Sequence, residues 1–177
     1  MPTSPRSLLL ALALVAASGC AAASGSATVP GPATGSTASD FALDTLDGAR
    51  FQLSEHLGKE VVVIAFWATW CEPCKAEMPH LAALHRKYRD KGLLVLGVSI
   101  DGPESLAQVR GDVAQGRVPY PVLLDAESRV VASYNPRRSA PFSVVIDRKG
   151  RIVHQHDGYT AGDEVALERE IVAELGP

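Results

Sequence analysis

Two cysteines stand two residues apart, Cys71-Glu72-Pro73-Cys74, directly after an apolar run, Val61-Val-Val-Ile-Ala-Phe-Trp67. Two thiols at that spacing can close a disulfide and open it again, which is a two-electron redox couple. The preceding run reads as a buried strand and the residues that follow as the start of a helix. A helix N-terminus stabilises a thiolate. Cys71 is therefore expected to be the exposed, attacking thiol, with a pKa in the range of about 3.5–7.5. Cys74, one turn on, is expected to be less exposed and to act as the resolving thiol. Pro73 suits the first turn, where its missing N–H costs nothing, and it stiffens the loop between the sulfurs. Glu72 opposes the thiolate with its charge, so a mild pKa depression is expected. As a staple the pair would do little, because so small a loop barely constrains the unfolded chain. Half a zinc site is the other use of such spacing. His80 and His85 follow on the same helix, but His85 lies about 16 Å beyond Cys74 at 1.5 Å per residue. No metal site and no cofactor is expected.

Steps of three and four from Cys74 reach Glu77, Leu81, Leu84 and Tyr88, so these share one helix face with Met78 beside them. A carboxylate on an apolar face is costly unless paired, neutral or functional. Buried near the dithiol, Glu77 would have a raised pKa and could take the proton of Cys74. An edge position, with the carboxylate reaching solvent, is the other reading. Pro79 lies inside the same helix and is expected to kink it. Trp67 and Trp70 flank the motif and contribute shape. His154 and His156 share a strand face and read as solvated surface.

The elements that must position this site alternate. Phe41-Ala-Leu-Asp-Thr-Leu and Ala49-Arg-Phe-Gln-Leu flank Asp47-Gly48, a hairpin signal. After the strand at 61–67 come a helix over 72–90, a buried strand over 93–99, a helix over 105–115, a short strand at 121–125 and a short helix over 127–134. A hairpin over 142–156 and an amphipathic helix over 162–175 close the chain. Alternating strands and helices predict an α/β fold with a mixed central sheet flanked by helices, the final hairpin supplying its antiparallel part. The folded part, about 40 to 175, is long enough for one ordinary core.

The first residues read differently. Arg6 precedes Ser7-Leu-Leu-Leu-Ala-Leu-Ala-Leu-Val-Ala-Ala17 and then Ser18-Gly19-Cys20. A basic residue, a short apolar run and small residues mark an export signal over 1–19. The run is about half the roughly 20 residues that a membrane span needs. Ala17-Ser-Gly-Cys20 resembles a bacterial lipoprotein signal, which implies a lipid on Cys20 as the first mature residue. Ala17 stands where that pattern has Leu, and ordinary cleavage near Ala23 is the alternative. Residues 20–39 are almost all small, carry no charge and read as a flexible tether with a reach of about 25 Å. If Cys20 carries a lipid, the third of the chain's 3 cysteines is accounted for. The formal charge of −3, without any basic cluster, argues against a nucleic-acid partner.

Phe66-Trp-Ala-Thr-Trp-Cys-Glu-Pro-Cys-Lys-Ala-Glu-Met-Pro79 resembles the active-site block of the thioredoxin-like TlpA/ResA/CcmG family of exported bacterial thiol–disulfide oxidoreductases. The similarity runs over about residues 40–175. It implies a thioredoxin fold with an N-terminal β-hairpin, Cys71 as nucleophile, Cys74 as resolving thiol and Glu77 as the family's buried acid. It also implies a cis Ala140–Pro141 bond facing the dithiol, with Trp70, Glu72, Pro73, Ala140 and Pro141 shaping a substrate groove. Asn135-Pro-Arg-Arg-Ser-Ala140 departs from the family's more apolar approach, and its two arginines either favour an acidic partner or are solvated. The resemblance further implies a monomer in the cell envelope, tethered on the periplasmic side. Its substrates would be disulfides of exported proteins such as apocytochrome c, and a membrane thiol transporter would return its electrons.

Two other classes compete. A peroxiredoxin-like peroxidase would need Pro in place of Ile64 and Thr or Ser in place of Ala68. A non-catalytic lipoprotein on the same fold would have no use for a complete Cys-Glu-Pro-Cys.

Overall fold

The computed structural model describes Met1 and residues 31–176, so the leader over 1–19 and Cys20 lie outside the described residues. Seven strands form one sheet: β1 (Ala42–Thr45), β2 (Arg50–Gln52), β3 (Val61–Trp67), β4 (Leu93–Ser99), β5 (Val122–Leu124), β6 (Phe142–Ile146) and β7 (Ile152–Asp157). Four α-helices join them: α1 (Glu72–Tyr88), α2 (Leu106–Gln115), α3 (Arg129–Tyr134) and α4 (Asp163–Leu175). The strand order is β2-β1-β5-β4-β3-β6-β7. β3, β4 and β5 run parallel, and the β6–β7 hairpin adds antiparallel strands beside β3.

β3 shows why the centre is apolar throughout. Successive side chains of a strand point to opposite faces. Val62, Ile64 and Phe66 enter one layer with Leu94, Leu96, Val131 and Tyr134, beneath α3. Val61, Val63 and Ala65 enter the other with Leu81, Leu84, Leu167 and Ile171, beneath α1 and α4. With both faces covered, every residue of β3 and β4 is buried. Each fully buried aliphatic side chain here contributes about 1.5–3 kcal/mol relative to its exposed form.

Two features differ from the sequence reading. The N-terminal hairpin does not stand apart: β1 pairs antiparallel with β5 as well as with β2, so the sheet has antiparallel strands on both flanks. Its turn uses Gly48 at φ 91°, and the Thr45 hydroxyl accepts the Ala49 N–H. Second, the end of the segment read as a tether lies on the domain. Gly35 N–H donates to Ile152 O, Ile152 N–H to Ser36 O and Ala38 N–H to Gly150 O. Gln155 Nε2 donates to Pro32 O. Backbone bonds need no distinctive side chains, so small residues can cover the free edge of β7, which a sheet otherwise leaves open to pairing. α1 runs unbroken through Pro79, whose position deprives the helix of one N–H donor.

Candidate active site

β3 ends at Trp67, and the chain turns through Ala68–Trp70 into α1, with Cys71 N–H donating to Ala68 O. Cys71 is the N-cap of α1, and its sulfur accepts the Cys74 N–H at 3.2 Å. A side-chain acceptor at this position satisfies one of the free N–H groups of the first turn. Glu72 and Pro73 follow as the first helical residues. The two sulfurs are joined in a disulfide, with the Cα atoms 5.3 Å apart. Cys71 was expected to be exposed; in the oxidised state it is 3% exposed and Cys74 is 1% exposed. Both sit in a small apolar cluster with Trp67, Ala68, Met78, Val109 of α2 and Val122 of β5, against which Ala140 packs. Trp70, at 65%, is exposed instead, with Glu72 and Pro73 exposed after Cys71.

The Ala140–Pro141 bond is cis, and Pro141 is buried at the entry to β6. Pro141 O accepts the Gly158 N–H, which ties this turn to the end of β7. Glu72 is exposed and its carboxylate lies 3.3 Å from Lys75 Nζ, which also faces Asp112. The glutamate expected to oppose a thiolate thus has a cation of its own.

Glu77 is on the inner face of α1 and only 8% exposed, so the edge reading does not hold. Among the described residues no hydrogen bond reaches its carboxylate. Burial first, and then the negative charge of Asp163 at the start of α4, push its pKa up from 4.5 to about 7. Tyr120 lies beneath it: burial and the charge of Glu77 both hold that phenol in its protonated form. Gly97 of β4 makes this possible, because a Cβ there would come within 3.0 Å of the Tyr120 ring. On its far side Glu77 lines a cavity of about 280 Å³ with His80, Gln155, Tyr159 and Asp163.

Several contacts near the site have no signal in local sequence. Asp101, just past β4, accepts hydrogen bonds from both the N–H and the hydroxyl of Thr69. The arginines before Pro141 are not equivalent: Arg137 is paired with Asp157 of β7, whereas Arg138 is exposed in a left-handed conformation at φ 51°. Asn135 braces this loop through Ser139 Oγ at 2.8 Å. His154 and His156, read as solvated, both face Glu170 of α4, at 3.5 and 2.7 Å. Among the described residues no group of three or more His, Cys, Asp or Glu side chains has the arrangement of a metal site.

A reversible disulfide at the N-cap of a helix, set on a mixed sheet and beside a cis-proline turn, defines a thiol–disulfide exchange protein. Comparison with known proteins agrees. The AhpC/TSA family model matches residues 34–155. The thioredoxin-like protein YneN of Bacillus subtilis is 39% identical over 138 residues, 77% of this chain and 79% of that one. The thiol-disulfide oxidoreductase ResA of Bacillus thuringiensis is 33% identical over 121 residues, 68% of each chain. Among solved structures, a Chlorobium tepidum protein assigned as the thiol:disulfide interchange protein DsbE has a TM-score of 0.74 at 33% identity, covering 81% of this chain and 99% of its own. The chain belongs to the AhpC/TSA family. Its fold is thioredoxin-like, and it is a thiol–disulfide oxidoreductase.

Proposed function

We propose that this protein is an extracytoplasmic reductase that works through the Cys71/Cys74 dithiol. The observation that carries the reading is the Cys71–Cys74 disulfide at the N-cap of α1 with the unpartnered carboxyl of Glu77 one turn further in. In the reduced enzyme the Cys71 thiolate attacks one sulfur of a substrate disulfide. A mixed disulfide forms, and the first substrate sulfur leaves as a thiolate. Glu77 takes the proton of Cys74, whose thiolate attacks the Cys71 sulfur and displaces the second substrate sulfur. Two electrons pass to the substrate, and the enzyme is left as the disulfide. A group with a pKa near 7 suits this proton transfer, since it can both accept and release a proton at neutral pH. Trp70, Glu72, Pro73, Ala140 and Pro141 form the surface against which the substrate chain lies.

The leader over 1–19 and Cys20 support export and attachment to the membrane by a lipid, with the domain held on the periplasmic side as a monomer. Two acyl chains bind far more firmly than one. Disulfides of exported proteins, apocytochrome c among them, are the proposed substrates, and a membrane thiol transporter is the proposed source of electrons. The relatives named thiol-disulfide oxidoreductase ResA and thiol:disulfide interchange protein DsbE support disulfide exchange as the reaction. A peroxidase reading finds no support at Ile64 and Ala68, both fully buried apolar positions.

The deciding measurement is the reduction potential of the Cys71/Cys74 couple. A value near about −270 mV marks a reductant that depends on a membrane electron supply, and one near about −120 mV marks an oxidant and overturns the reading. Attachment is tested separately: Cys20→Ala releases the protein from the membrane fraction if the lipid is carried there.

A further inference from the structure

The turn that delivers Cys71 is held by a side chain where the sheet ends. β3 and β4 stay in register from Val61 opposite Leu93 to Trp67 opposite Ser99, and Ile100 N–H donates to Trp67 O at 2.9 Å. The next donor, Thr69 N–H, leaves the ladder and reaches both oxygens of Asp101, at 3.1 and 3.0 Å. The Thr69 hydroxyl adds a bond of 2.7 Å to Oδ1, and the Ser99 hydroxyl one of 2.9 Å to Oδ2. Asp101 N–H donates back to Ser99 Oγ at 3.2 Å. All these partners of the carboxylate are donors, and among the described residues no cation lies within ion-pair distance of it. Asp101 is 8% exposed and Thr69 is 4% exposed. A carboxylate is thus enclosed at the base of the active-site turn, bonded to the residue two before Cys71.

We propose that Asp101 is a positioning residue for the dithiol. Through Thr69 it fixes the turn that seats Cys71 at the N-cap of α1. Its charge also opposes the Cys71 thiolate, which the helix N-terminus favours. A less stable thiolate means a less stable reduced form, so Asp101 keeps the couple reducing. The other ionisable groups about the dithiol are Glu72 and Lys75 at the surface, the partly buried Asp112, and Glu77 within, and none of them touches Asp101.

The test is Asp101→Asn in the full chain, which keeps size and removes the charge. Two quantities are read: the pH midpoint of Cys71 thiolate absorbance in the reduced protein, and the equilibrium of the dithiol/disulfide couple with the glutathione couple. The Cys71 midpoint is expected to fall by about one pH unit, a tenfold gain in acidity. A tenfold shift of the couple toward the reduced form moves its potential up by about 30 mV. A variant that melts earlier but keeps the wild-type Cys71 midpoint and potential overturns the proposal and leaves Asp101 as a brace alone. Thr69→Ala provides an independent arm, which also decides the matter if Asp101→Asn does not fold. It keeps the carboxylate but removes one hydroxyl that disperses its charge, so the Cys71 midpoint is expected to rise; an unchanged or lower midpoint overturns the proposal. The proposal rests on the dithiol reading. Failure of that reading would show separately, as a wild-type couple that does not exchange with glutathione.

Discussion

Two buried carboxyl groups flank the dithiol, and they are equally hidden: Asp101 and Glu77 are each 8% exposed. Their surroundings are opposite. Asp101, past the end of β4, accepts bonds from the Thr69 N–H, the Thr69 hydroxyl and the Ser99 hydroxyl. Glu77, in the middle of α1, accepts none among the described residues and faces Asp163, another acid. Removing a carboxyl group from water must be offset by something. At Asp101 it is offset by fixed donors, and at Glu77 by a proton that the group can still give up. Burial alone therefore does not decide what a carboxyl group does. The supply of donors suits one to bracing and, in the proposed mechanism, leaves the other free to carry a proton.

The contrast predicts a large difference in what each side chain does for stability. Asp101→Ala orphans two hydroxyls and a backbone N–H in a buried place, and is expected to cost about 3–5 kcal/mol in urea unfolding at neutral pH. Glu77→Ala orphans no donor and removes a group whose ionisation is opposed, so its cost is limited to lost packing. If the two substitutions prove equally costly, the distinction between brace and carrier fails.

Glu77→Gln tests the same contrast through pH. The unfolded value is 4.5 and the folded value about 7, so between these limits the folded protein holds a proton that the unfolded chain has released. Stability contributed by this group is complete below pH 4.5, falls as pH rises through 7 and is level above that. At 1.36 kcal/mol per pKa unit the full swing is about 3 kcal/mol. Glu77→Gln is expected to flatten this slope, matching wild type near pH 4.5 and exceeding its stability at pH 8. Parallel curves for the two proteins would mean that Glu77 is not the buried acid described. The kinetic counterpart is somewhat smaller. Glu77→Gln is expected to slow release of a preformed mixed disulfide about 100-fold, the lower end for a lost proton acceptor, while Cys71 attack is nearly normal. Unchanged release kinetics would remove Glu77 from the mechanism.

Glu77 could be found in the sequence and Asp101 could not, and the reason is distance along the chain. Glu77 stands three residues from Cys74, so helix periodicity puts it on the apolar stripe or at its edge, and an acid there invites a question. Asp101 reaches Thr69 across 32 positions and depends on β3 and β4 lying parallel in one register. No local pattern encodes that pairing. The same limit hid the partner of Arg137, which is Asp157, and the shared partner of His154 and His156, which is Glu170. It also hid the docking of residues 35–38 on β7, where backbone groups carry the contact and the small side chains carry no signal. Strands, by contrast, were legible wherever burial on both faces forced an unbroken apolar run, as in β3 and β4.

The smallest effect concerns the part of the Glu77 shift that is not burial. Asp163 is the first residue of α4, and its Oδ2 accepts the Thr160 N–H at 2.8 Å. Asn at that position can keep the hydrogen bond while losing the charge, so Asp163→Asn should cost only about 0.3–1 kcal/mol from the helix N-terminus. Its effect on Glu77 has a definite sign: repulsion is removed, the carboxylate is favoured, and the midpoint falls below that of wild type. Burial is the larger cause and remains, so the midpoint must stay above 4.5. In the proposed mechanism mixed-disulfide release follows the ionised fraction of Glu77, so its pH dependence reads this directly. A profile displaced modestly to lower pH is the expected result. A profile that collapses to an ordinary glutamate would mean that Asp163, and not the apolar face of α1, keeps Glu77 protonated. The absence of donors, on which the contrast with Asp101 rests, would then no longer explain the difference.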